Sequence, residues 1–128
     1  MRGLNKVIII GRLGADPEGR MTGGGTHVSC FRMATERYRG SNGDANSEKI
    51  TDWHRIVAYG KMAETCNSHL RKGRLACVEG SLQTRTWENP PGTKHFATEV
   101  VAAHVTFLDF KGQNGQFDEV EANGTSDL

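Results

Sequence analysis

Apolar residues recur along this chain at two different spacings, and the switches between them mark out the elements. Residues 4–13, LNKVIIIGRL, form a β-branched run interrupted by Gly11. Such a run predicts a first strand, and a glycine inside it predicts a bulge or bend. GADPEGR follows as turn sequence, and TGGGT at 22–26 reads as a flexible hairpin turn, because no Gly-Lys-Ser/Thr follows to make it a phosphate-cradling loop. HVSCFRMATER at 27–37 predicts a second strand. Residues 38–50, YRGSNGDANSEKI, have almost nothing to bury and predict a long hairpin loop. TDWHRIVAYGK at 51–61 predicts a third strand. The period then changes: Met62, Ala63, Cys66 and Leu70 recur at helical spacing. The predicted helix covers 61–73, with Arg71 and Lys72 in its last turn and Gly73 at the C-terminal cap. RLACVEGSLQTRTW at 74–87 predicts strand four, with a second possible bend at Gly80. ENPPGTKH is another long hairpin loop, and FATEVVAAHVTFLDF at 96–110 predicts strand five. The remainder, 111–128, is polar and is expected to be a disordered tail.

The order is three strands, one short helix and two strands, with glycine bends in strands one and four. That is the layout of an all-β, five-stranded Greek-key barrel of the OB-fold type, built as one domain over residues 1–110. Barrels of this kind bind oligonucleotides or oligosaccharides across one sheet face and its flanking loops.

Alternation along the third strand separates two rows. One row carries Trp53, Arg55, Val57, Tyr59 and Lys61, and the other carries His54, Ile56, Ala58 and Gly60. The second row supplies a plausible inward face, on which His54 reads as a buried, satisfied histidine. The first mixes two large rings with two cations, and charged groups are seldom fully buried, so it predicts an exposed face. Arg85 and Trp87 repeat the pairing at the mouth of the second loop. Arg37, Tyr38 and Arg39 open the first loop, and Arg71 and Lys72 end the helix. Rings that stack on unpaired bases, beside cations that follow phosphates, fit a single-stranded nucleic acid. A protein interface with aromatic anchors, as in an assembly adaptor, has a similar composition.

Composition changes this picture little. The 36% hydrophobic and 24% charged content is that of a folded domain of 128 residues. The net charge of +1 hides an asymmetry: residues 1–111 hold sixteen Lys and Arg against eleven Asp and Glu, while 112–128 hold four acids and no base. A mildly basic body is compatible with a polyanion. Cys30, Cys66 and Cys77 are odd in number and widely spaced, which argues for reduced thiols rather than a disulfide framework or zinc site. No apolar run approaches the ~20 residues of a membrane span, and no signal pattern opens the chain, so a cytoplasmic location is expected. There is no P-loop, HExxH, G-x-S-x-G or close Cys/His cluster. The expectation is a protein with no catalytic residues, no metal and no cofactor.

NKVIIIGRLGADPE at 5–18, TDWHRIVAYGKMAE at 51–64, LRKG at 70–73, VEGSLQTRTW at 78–87 and TEVVA at 98–102 resemble the bacterial-type single-stranded DNA-binding protein (SSB) family. The resemblance runs over residues 4–110 in order. It implies an OB barrel working as a homotetramer that wraps single-stranded DNA with little sequence preference during replication, repair and recombination. It implies stacking by Trp53, Tyr59 and Trp87. Tyr38 is the candidate where members often carry a further loop tryptophan, Arg39 standing nearest that place. Arg55, Lys61, Lys72 and Arg85 are the implied backbone contacts, with Arg71, Arg37 and Arg39 as further candidates. Thr86 stands where many members have a lysine. The resemblance also implies a subunit contact through His54 and strand pairing along Asn5, Lys6, Val7 and Ile9, which would cover an open edge. Members usually end in an acidic Pro-Phe tip that recruits replication and repair proteins. This chain ends FDEVEANGTSDL, without that tip, so replication and repair proteins are candidate partners but recruitment through a tip is not assumed.

Overall fold

The computed structural model describes residues 2–40, 47–109 and the backbone of 118–121. Its elements are β1 (Val7–Leu13), β2 (Glu18–Met21), β3 (His27–Arg39), β4 (Glu48–Tyr59), α1 (Lys61–His69), β5 (Leu75–Glu88), β6 (Lys94–Phe107) and β7 (Asp118–Glu121). Five strands close a ring. β1 pairs with β5, β5 with β6, β6 with β4 in parallel, β4 with β3, and β3 returns to β1 at Arg12↔Ala34 and Leu13↔Met33. This is the expected five-stranded barrel with one helix.

Alternation fills the interior. Ile9 and Leu13 from β1, Phe31 and Met33 from β3, Ile56 and Ala58 from β4, and Ala76 and Val78 from β5 point inward. Helix α1 closes one end with Met62, Ala63 and Cys66. Burial pushes the Cys66 thiol up to about 12. The three cysteines are free.

Both predicted glycine bends are places of close approach. A Cβ at Gly11 would lie 2.2 Å from the Ala34 carbonyl oxygen, and one at Gly80 would lie 2.1 Å from that of Val101. At the second site the ladder slips. Gly80 pairs with Ala102 but Glu79 pairs with His104, leaving Ala103 as an extra residue. The bulge changes the phase of β6, so that Val100 and Ala102 on one side of it and Val105 and Phe107 on the other all reach the core.

Several boundaries differ from expectation. Part of the predicted GADPEGR turn is β2, which pairs with β3 from Glu18↔Cys30 to Met21↔His27. The helix ends at His69 rather than near Gly73, because Leu70 turns to extended geometry and drops into the core at 2% exposure. Gly73 instead takes a left-handed φ of 87° in the turn into β5, donating its N–H to the Leu13 carbonyl at 2.8 Å. Strands β3 and β4 run well into the predicted first loop as a paired arm. Charge, not burial, laces it: Arg37–Asp52 at 2.7 Å, Lys49–Glu36 at 3.0 Å and Arg39–Glu48 at 3.6 Å. The loop tip, 41–46, lies outside the described residues. β5 and β6 likewise pair as far as Glu88↔Lys94, which shortens the second loop to 89–93. Within the segment expected to be a disordered tail, Asp118–Glu121 pairs with the end of β6. The rest of that segment lies outside the described residues.

Candidate nucleic-acid interface

Strand registers decide which outward side chains become neighbours. On β4 the outward row is Trp53, Arg55, Val57 and Tyr59, and β3 sets Ala34, Arg32, Cys30 and Val28 opposite them. The parallel pairing Val57↔Val101 carries this row onto Val101 and Glu99 of β6, and Gln83↔Glu99 carries it onto Arg85 and Trp87 of β5. One continuous outer face therefore holds Trp53, Arg55, Tyr59, Arg85 and Trp87, which lie far apart in sequence. Trp53 is 54% exposed, Tyr59 46% and Trp87 39%, against the pattern for rings of this size. Val57 shares the row but not the role. It is buried with Val28 and Cys30 in a small apolar cluster on this side.

Each ring has its own support. The six-membered ring of Trp53 packs on Gly14, where an added Cβ would lie 2.5 Å from Cζ3. Gly14 is itself fixed by its N–H to the Arg32 carbonyl at 3.1 Å. Beside the ring, a groove of about 430 Å³ is lined by Ala15, Asp16, Glu18, Arg32 and Arg55. Trp87 stacks on His95 of the neighbouring strand with centroids 5.5 Å apart and planes at 21°. The Arg85 guanidinium lies over the Trp87 ring, 4.6 Å from its centroid. His95 is held by Nε2 against the Asn89 carbonyl at 2.8 Å.

Between the two tryptophans lies a group that sequence reading missed. Glu99 is buried at 6% exposure. Its Oε2 accepts from Arg55 Nε at 2.5 Å, and its Oε1 pairs with Arg85 Nε at 3.2 Å. The bond to Glu99 raises the Arg55 pKa above its ordinary range. The available signal was a carboxylate set within the apolar run of strand five. Gly14 and Arg32 were also missed, having looked like ordinary turn and strand residues.

The other predicted residues divide. Tyr38, 55% exposed, shares the β3 face of Arg32 and Ala34 and so lies on the Trp53 side of the arm. By the same alternation Arg37 and Arg39 turn to the opposite side, where each meets an acid of β4. Lys61 is exposed at the start of α1, directly after Tyr59 and Gly60. The backbone N–H of Lys72 bonds to Asp16 of the groove at 2.9 Å. Arg71 instead caps the end of α1, donating to the carbonyls of Asn67 at 3.0 Å and Leu70 at 2.6 Å.

The expected subunit-contact positions, on and just before β1 and at His54 of β4, are largely engaged within the chain. Ile9 lies in the core and Val7 packs against it. The Asn5 amide makes two bonds to the Leu82 backbone, and Lys6 pairs with Glu79 at 3.7 Å. His54 bonds to the Thr35 hydroxyl at 2.8 Å. The outward apolar side chains are Ile8 and Ile10, 59% and 57% exposed. Their signal was an uninterrupted apolar run, which in a strand supplies both faces.

The single-strand binding protein family matches residues 4–108. A single-stranded DNA-binding protein 1 of Chlorobaculum tepidum is 47% identical over 128 residues, covering 98% of this chain and 73% of the relative. The single-stranded DNA-binding protein of Thermotoga maritima is 46% identical over 107 residues, covering 84% and 75%. Among solved structures, the Plasmodium falciparum SSB in complex with ssDNA superposes with a TM-score of 0.72 at 30% identity, covering 94% of this chain and 98% of that one.

Proposed function

Because the chain belongs to the single-strand binding protein family, we propose that its outer face binds single-stranded DNA by stacking and phosphate contact, with no strong sequence preference. The protein is a DNA-binding protein and not an enzyme. The observation that supports this site is the alignment of Trp53, Tyr59 and Trp87 on one face, with Arg55 and Arg85 between them. Every base has a π-face, so exposed rings accept any sequence, and the arginines meet the phosphates. Tyr38 extends the path along the β3–β4 arm, and Lys61 and Lys72 add charge beside it. Arg37, Arg39 and Arg71 are engaged elsewhere and contribute less.

The protein works in this reading as a homotetramer, in the cytoplasm of a bacterium, during replication, repair and recombination. Support for self-association comes from β1. Among the described residues β3 pairs with it only at Arg12 and Leu13 and still approaches closely at Gly11, so the edge from Val7 to Ile10 on the side away from β5 has no paired strand. Ile8 and Ile10 leave apolar surface next to that edge. Titration with dT oligomers of rising length, followed by tryptophan fluorescence, tests the proposal. Quenching that saturates, and weakens as salt rises, is expected. No quenching and no binding by an independent assay would overturn it.

A further inference from the structure

Arg55 and Arg85 come from strands that do not pair with each other, yet one buried carboxylate holds both. Glu99 offers its two oxygens to the two Nε atoms, at 2.5 and 3.2 Å. Among the described residues no further hydrogen bond or ion pair is seen at either guanidinium, so the terminal nitrogens keep donor capacity for a ligand, although the Glu18 carboxylate of the same groove acts on Arg55 from farther away. The arginine side chains are 39% and 53% exposed, whereas that of Glu99 is only 8% exposed. The carboxylate thus lies beneath the guanidinium groups rather than beside the ligand. Each arginine also borders a tryptophan: Arg55 lines the groove next to Trp53, and Arg85 covers part of the Trp87 ring.

We infer that Glu99 is a positioning residue of the DNA-binding face, fixing the two guanidinium groups so that each presents its terminal nitrogens to a phosphate beside its own stacking tryptophan. The inference rests on the proposed single-stranded DNA site. Its physical basis is preorganisation. A free arginine loses rotamer freedom when it grips a phosphate, whereas one already tied at Nε has lost much of it in the folded state. The arrangement carries a sign that separates it from simple charge. A carboxylate in a phosphate-binding face repels DNA, so charge alone predicts tighter binding when it is neutralised. Positioning predicts weaker binding.

The test is Glu99→Gln and Glu99→Asp in the full chain, with fluorescence-monitored dT-oligomer binding over a salt series and a thermal melt of each variant. Glu99→Gln keeps the shape and removes the charge. Glu99→Asp keeps the charge and shortens the reach, so a loss there cannot be electrostatic. Both variants are expected to bind about tenfold more weakly. The slope of log K against log salt should shrink by about 0.7 for each phosphate that is no longer gripped. Added to an Arg55→Lys/Arg85→Lys background, either change should have no further effect, since Glu99 acts through those two side chains. If Glu99→Gln binds as tightly as the parent, or more tightly, with an unchanged slope, the inference fails while the proposed function stands. If the parent protein itself does not bind dT oligomers, both fail.

Discussion

Truncating Trp53 to alanine removes a ring of which 54% is exposed and whose support is the Gly14 backbone. Because that support is a glycine, the rest of the ring is open to a base. Stacking of one base on an aromatic is worth about 1–3 kcal/mol by alanine substitution. Trp53 should lie near the middle of this range, about 2 kcal/mol, or about 30-fold in Kd. Trp87 differs: it is 39% exposed, already stacked on His95 and overlain by Arg85. A base arriving there extends or displaces existing contacts, so Trp87→Ala should cost about 1 kcal/mol, roughly fivefold. The two rings share no direct partner, so the losses should combine to roughly 150-fold. Anisotropy of a labelled dT oligomer at fixed salt measures all three. Neither change removes a charge, so the salt slope should hold. A loss below about twofold for Trp53→Ala, or a Trp87→Ala loss exceeding it, would refute the reasoning.

Three further outcomes follow from the geometry. Ile8→Lys with Ile10→Lys should shift the mass seen by light scattering toward smaller species while leaving the fold intact, because both side chains are outside the core. Gly80→Ala should destabilise the barrel by about 1–3 kcal/mol in denaturant melts, since its Cβ would meet backbone, the Val101 carbonyl, at 2.1 Å. Cys66, buried with its pKa pushed up to about 12, has almost no thiolate at pH 8, so it should resist alkylation in the folded protein and react readily once denaturant exposes it, as read by mass spectrometry.

The barrel was legible in the sequence because its strands and helix carry different hydrophobic periods. Gly11 and Gly80 announced the bends that close it. What sequence obscured has physical reasons. The β3–β4 arm buries little and is held by its backbone ladder, with charge pairs across its exposed surface, so it looked like loop. The end of α1 was misjudged because Gly73 supplies a left-handed turn four residues beyond the last helical residue. Candidate stacking residues stood out where a strand row mixed rings with cations, as with Trp53, Tyr59 and Trp87, which share one outer face of the barrel. Glu99 was hidden because its importance lies in which strands adjoin β6, a property of register. Arg37 and Arg39 looked equivalent to Arg55 in composition, but alternation sends them to the other side of the arm.

The extra residue at Ala103 gives β6 something like a reading frame. Upstream of it, Glu99 and Val101 are turned outward and Val100 and Ala102 inward; downstream, the parity is reversed. Changing the exposed Ala103 side chain leaves that frame in place. Removing the residue would shift one half of the strand against the other, sending Glu99 toward the apolar interior and Val100 to the surface, or turning Val105 and Phe107 out of the core. The core and the proposed DNA-binding surface are thus encoded on one strand by its residue count, and this segment can drift in side chain far more freely than in length.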